Sequence, residues 1–111
     1  MLVLAAHLSE IFEAGLPMPC ANQIELHPLC QRRHLREFMY EHKILPIAYS
    51  CLAPLPGWRK GYTSWGGAKS EKQMHLSSTI TSIAKKLRKT EAQVLLRYAY
   101  QSGWATLPKS V

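Results

Sequence analysis

The sequence contains no aspartate, since all seven of its acidic residues are glutamates, against 14 lysines and arginines. A reaction that depends on an aspartate side chain therefore cannot be completed by these 111 residues alone. Cysteine is also scarce: the three cysteines are odd in number, irregularly spaced and without a CxxC motif. This pattern argues against a disulfide framework and against a zinc motif, and it favours a reducing compartment.

The sequence also lacks a long hydrophobic run, so no segment reaches the length of a transmembrane helix. The apolar stretch over residues 1–6 is too short for a signal peptide and has no preceding basic region. We therefore expect a cytoplasmic protein with no membrane partner.

The net charge of +7 suggests an anionic partner, for which nucleic acid and a phosphorylated cofactor are the two candidates. The densest basic stretch, residues 85–89, ends a predicted helix, where cations are favoured by the helix dipole. We therefore interpret it as a solvated helix end and expect no nucleic-acid partner.

Hydrophobic residues make up 47% of the chain and are spread along its length, which indicates one domain over residues 1–111 with no internal boundary. Periodicity predicts helices at 7–14, 33–42, 76–87 and 90–103, and strands at 21–26, 44–49 and 104–107. Residues 50–75 are predicted to form a long loop. This alternation predicts an α/β fold with a parallel sheet, and by itself leaves open whether the sheet is a closed barrel or an open one.

Four segments, in this order, resemble the aldo-keto reductases. Residues 22–28 (NQIELHP) are similar to the sixth strand of that family, and residues 48–52 (AYSCL) to the end of its seventh strand. Residues 90–103 resemble the helix before the eighth strand, and residues 108–111 (PKSV) resemble that strand's exit. The resemblance implies a partial TIM (β/α)8 barrel, from about helix 5 through strand 8, of an NADPH-dependent reductase.

The resemblance assigns two residues to the nicotinamide of NADPH. The amide of Gln23 would bond to the carboxamide, because it offers both a donor and an acceptor. The ring of Tyr49, at the end of a strand, would stack on the nicotinamide face. The alternatives are a buried structural glutamine and a core tyrosine.

Four further residues are assigned by resemblance to the phosphates. Ser50 and Leu52 would offer a hydroxyl and backbone N–H groups to the pyrophosphate, unless they only form a turn. Lys109 and Ser110 would meet the 2′-phosphate, unless this end is a solvated tail.

No catalytic residue is assigned within the chain. In the family a tyrosine donates the proton, helped by a lysine, an aspartate and a histidine, and all four come from the first four strands. We therefore expect a C-terminal fragment of a reductase that is inactive alone and whose full-length parent reduces a small carbonyl compound. The alternative is a non-catalytic truncated isoform that serves as a nucleotide-binding or protein-interaction module. Glu25 and His27 have no third ligand near in sequence, so no metal site is expected.

Overall fold

The computed structural model describes residues 5–55 and 71–108, with side chains described from residue 75 onward in the second range. Its helices are α1 (Ala5–Glu13), α2 (Arg33–Glu41), α3 (Glu71–Leu87) and α4 (Glu91–Gln101). Its strands are β1 (Ala21–Glu25), β2 (Leu45–Tyr49) and β3 (Ala105–Thr106). The predicted elements are thus all present, and the predicted α/β class is confirmed.

The three strands form one parallel sheet in the order β1-β2-β3. The register aligns Gln23 with Ile47 and Glu25 with Tyr49, and it aligns Ile47 with Ala105. Because all strands run in the same direction, their carboxyl ends lie at one edge of the sheet.

One face of the sheet is covered by helices. Alternate strand residues, among them Ile24 and Ala48, are fully buried on this face against Leu8 of α1 and Met39 of α2. Ala99 of α4 belongs to the same core. The core thus lies between the sheet and its helices, as in a βα unit.

Helices α1 and α4 end where the sequence places glycines. Gly15 and Gly103 have φ of 67° and 81°, a left-handed conformation that glycine adopts without a Cβ penalty. The N–H of Leu16 donates to the Ile11 carbonyl at 3.2 Å, and that of Trp104 donates to the Ala99 carbonyl at 3.1 Å. These bonds, each between residues five positions apart, complete Schellman motifs.

Helices α2 and α3 end in the same way without glycine. Lys43 and Arg88 occupy the left-handed position with φ of 57° and 52°. The N–H of Ile44 donates to the Met39 carbonyl at 2.7 Å and leads the chain directly into β2. A lysine at this position has a Cβ close to the following carbonyl, which makes the end of α2 strained.

The start of α4 follows the sequence prediction in detail. The Gln93 N–H donates to the Thr90 hydroxyl at 3.1 Å, and the Thr90 N–H donates to the Gln93 side chain at 2.9 Å. These two bonds form a capping box. The start of α3, by contrast, lies at Glu71, five residues before the predicted one, because residues 71–75 are good helix formers that precede the apolar period.

Candidate functional site

The second face of the sheet carries Gln23 and Glu25 of β1. Gln23 is exposed and Glu25 is half-buried on this face, next to Ile47 and Tyr49 of β2. Leu45, on the same face, is 46% exposed. We call this surface, made of Gln23, Glu25, Leu45, Ile47, Tyr49 and Ala105, the open face.

The nicotinamide residues assigned by resemblance both lie on the open face. Gln23 is aligned with Ile47, and Tyr49 lies two residues further toward the carboxyl end of β2. The two side chains are therefore diagonal neighbours on adjacent strands. Gln23 is exposed in the described chain. Tyr49 is half-buried, so its ring is partly accessible.

The carboxyl edge of the sheet is held together by backbone hydrogen bonds beyond the strands. The Leu26 N–H donates to the Tyr49 carbonyl at 3.4 Å, and the Leu107 N–H donates to the Ala48 carbonyl at 3.0 Å. The chain after β3 thus leaves the sheet beside the end of β2. Lys109 and Ser110 follow directly in sequence but lie outside the described residues.

Ser50 starts the turn after β2. Its φ of 54° places it in the left-handed region, and its carbonyl accepts a hydrogen bond from the Ala53 N–H at 2.9 Å. This conformation turns the chain sharply at the strand exit, where backbone N–H groups can converge on an anion.

Leu52 contributes to the fold through its side chain, which packs against the core. The backbone N–H groups of Cys51 and Leu52 lie close to the Cys51 sulfur. Burial raises the pKa of the Cys51 thiol, and these N–H groups partly offset that effect. Cys51 therefore stays a buried thiol.

Glu25 and His27 were not expected to take part in the site, yet they form a partly buried pair beside it. His27 is 2% exposed, and its Nε2 lies 2.9 Å from Glu25 Oε1. The Leu29 N–H donates to His27 Nδ1 at 3.2 Å, so the ring proton sits on Nε2 and is donated to the carboxylate. The pair fixes the Glu25 side chain next to Tyr49. The signal in the sequence was the two-residue spacing of Gln23 and Glu25, which puts both on one face.

The turn that follows β1 brings a third side chain, that of Cys30, to the pair of Glu25 and His27. His27 and Cys30 form an isolated antiparallel bridge, and the Cys30 thiol donates to the Glu25 carbonyl with a sulfur-to-oxygen distance of 3.6 Å. Burial raises the pKa of the Cys30 thiol, and the nearby Arg32 charge lowers it by a smaller amount.

The sequence as a whole matches a known family. A sequence profile of the Aldo/keto reductase family matches residues 4–111. The chain belongs to the aldo/keto reductase family. It is similar to a 9,11-endoperoxide prostaglandin H2 reductase of Trypanosoma cruzi, with 38% identity over 104 residues, which cover 94% of this chain and 32% of that protein. The chain thus spans about a third of the length of the curated aldo/keto reductases it matches.

Solved aldo/keto reductase structures share the fold. An enzyme from Brucella melitensis matches with a TM-score of 0.70 at 34% identity, covering 97% of this chain and 35% of that one. An aldo-keto reductase from Bombyx mori, in complex with NADP, matches with a TM-score of 0.74 at 29% identity, covering 96% and 33%. These neighbours are (β/α)8 barrels. The described sheet and helices therefore correspond to part of such a barrel. This confirms the predicted partial TIM barrel.

The barrel fold accounts for the two faces of the sheet. In a (β/α)8 barrel the helices surround the strands, and the other side of each strand faces the barrel interior. The helix-covered face of this aldo/keto reductase chain is therefore the outer one, and the open face is the inner one. Sites in such barrels are built at the carboxyl ends of the strands, where Tyr49 and Ser50 lie. None of the helices in the described ranges is both long and apolar enough to span a membrane.

Proposed function

We propose that this chain supplies part of the NADPH site of an aldo-keto reductase that reduces a small carbonyl compound to an alcohol. The observation that carries the proposal is the common location of Gln23 and Tyr49 on the open face, near the carboxyl edge of the sheet. A reductase of the silkworm Bombyx mori with a similar fold has been solved with NADP, which supports the same cofactor class here.

The residues present fit this cofactor. The exposed amide of Gln23 can donate to one atom of a carboxamide and accept from another. The half-buried ring of Tyr49 offers a flat apolar surface for a nicotinamide. The left-handed turn at Ser50 brings a hydroxyl and backbone N–H groups to the same edge, where a pyrophosphate would need donors. Bound NADPH would supply the hydride.

The 111 residues alone would not protonate a substrate. By resemblance, the proton donor and its three helpers belong to strands that correspond to no segment of this sequence, and no aspartate is present to serve in their place. Hydride transfer to a carbonyl needs a group that protonates the developing oxyanion. We therefore propose that the chain by itself binds the cofactor but does not catalyse carbonyl reduction.

A second candidate, a non-catalytic module that binds nucleotide or another protein, is favoured by the apolar part of the open face. Leu45 is 46% exposed and Ile47 is half-buried, and a polypeptide surface could cover both. We propose the cytoplasm as its compartment, because all three cysteines are free.

A fluorescence titration of the purified chain with NADPH tests the proposed cofactor site. Replacing Gln23→Ala removes one hydrogen-bonding amide and should weaken NADPH binding about 2- to 12-fold, the value of one such bond. The matched control is Gln101→Ala, an exposed glutamine at the end of α4, which should leave the affinity unchanged. Absence of saturable NADPH binding by the unmodified, folded chain would refute the cofactor site.

A further inference from the structure

A side-chain cluster at the carboxyl end of β1 combines three different ligand chemistries. The carboxylate of Glu25, the imidazole of His27 and the thiol of Cys30 have ligand atoms that all lie within 4.8 Å of one another. The cluster is built by a tight turn, in which the His27 N–H donates to the Cys30 carbonyl at 3.2 Å and the Cys30 N–H donates back at 2.9 Å. Through this turn Cys30 becomes a third candidate ligand beside Glu25 and His27, which was not expected from the sequence.

We propose that Glu25, His27 and Cys30 form a zinc-binding site. Imidazole nitrogen, thiolate sulfur and carboxylate oxygen are the donors that Zn²⁺ takes in proteins, at about 2.0–2.3 Å. Three protein ligands leave a fourth tetrahedral position for water. The Glu25 side chain is 22% exposed, which gives an ion a path into the cluster.

Zinc binding requires only small movements of the three ligand atoms, because the backbone already brings them together. Around a tetrahedral zinc ion the nitrogen and oxygen ligands lie about 3.3 Å apart, and each lies about 3.5 Å from the sulfur. The His27–Glu25 pair, now 2.9 Å apart, therefore has to open by about 0.4 Å, and the separations from the Cys30 sulfur, which are within 4.8 Å, have to close by about 1.3 Å at most. The two hydrogen bonds between the main chains of His27 and Cys30 already hold the ligands on one short turn. A site that is organised in advance loses little conformational entropy on binding.

Zinc binding has a defined proton balance. His27 Nε2 donates to Glu25 in the described structure, so its proton must move to Nδ1, and the Leu29 N–H then loses its acceptor. The Cys30 thiol loses its proton to solvent as the sulfur–zinc bond forms. The net release is therefore about one proton per ion. Arg32 favours the thiolate but also repels a cation, so the affinity should be lower than that of a four-ligand structural site.

The experiment uses the purified full chain in a non-thiol reductant and Co²⁺ as the probe. Cobalt bound by a thiolate gives a sulfur-to-cobalt charge-transfer absorption, which should saturate at one ion per chain and disappear when Zn²⁺ is added. Calorimetric zinc titrations in buffers of different ionisation enthalpy should report release of about one proton per ion. Failure of the folded, unmodified chain to give the absorption would overturn the proposal.

Substitutions then locate the site. Cys30→Ser should abolish the charge-transfer absorption, and Glu25→Gln should weaken zinc binding about tenfold or more. The matched control is Cys20→Ser, since Cys20 is exposed and lies at the other end of β1. Far-ultraviolet circular dichroism reports whether each variant keeps its fold. Absorption that survives Cys30→Ser but is lost in Cys20→Ser would assign the metal to another place and contradict the proposal.

Discussion

Tyr49 provides the sharpest test of the proposed cofactor site, because stacking and core packing predict different results. The residue ends β2, is half-buried, and is aligned with Glu25 on the open face. An aromatic pair contributes about 0.5–1.5 kcal/mol beyond the area it buries. Replacing Tyr49→Ala should therefore weaken NADPH binding about 2- to 12-fold, and it should weaken NADH binding equally, since both cofactors carry the nicotinamide.

Two comparison variants complete this prediction. Tyr49→Phe keeps the ring and should retain the NADPH affinity measured by fluorescence titration. Tyr100→Ala, which removes a 71% exposed tyrosine on α4, should change neither affinity nor stability. If Tyr49→Ala lowers the free energy of unfolding in urea but leaves the affinity for both cofactors unchanged, Tyr49 is a packing residue and the stacking argument is refuted.

Three further predictions concern the phosphate and the helix ends. In a full-length reductase that carries this sequence, Lys109→Met should lower NADPH affinity about 10- to 150-fold and leave NADH binding nearly unchanged, because one charged hydrogen bond is lost; equal losses for both cofactors would contradict this. Lys43→Gly should raise the free energy of unfolding by about 0.5–1 kcal/mol, because it removes the left-handed strain at the end of α2, whereas Lys43→Ala should give no gain. Thr90→Ala should lower the free energy of unfolding by about 1 kcal/mol, because the capping box is lost. An unchanged urea midpoint would contradict a stabilising role for this cap.

Local signals in the sequence were sufficient for most of the fold. Thr90 and Gln93 are three residues apart before an apolar period, and that spacing defined the start of α4. Gly15 and Gly103 marked two helix ends for the same kind of local reason. Lys43 and Arg88 end helices equally well but give no such signal, because residues of their type rarely adopt positive φ.

Side-chain environments could be predicted less well than the elements. The spacing of Phe12 from Leu8 puts both on one face of α1, yet Phe12 is 57% exposed and packs edge-to-face with His42 at a centroid distance of 4.9 Å. A short helix buries only part of its apolar stripe, and what the rest contacts depends on α2.

Strand periodicity accounts for the common face of Gln23 and Tyr49, which the resemblance assigns to the nicotinamide. Gln23 and Tyr49 share a face because side chains alternate along each strand and the register aligns Gln23 with Ile47, two residues before Tyr49. The cluster of Glu25, His27 and Cys30 depends on the tight turn after β1, which follows from main-chain hydrogen bonds and not from residue spacing. For that reason the sequence did not reveal it.

The most direct test of the account is turnover by the purified 111-residue chain. NADPH and an aromatic aldehyde are added to the folded polypeptide, and the absorbance of the reduced cofactor is followed. We expect saturable NADPH binding without aldehyde-dependent oxidation, because the resemblance assigns proposed cofactor residues to the sequence but no proton donor of the family's kind. Turnover at roughly 1 per second or above, an ordinary enzyme rate, would contradict the account.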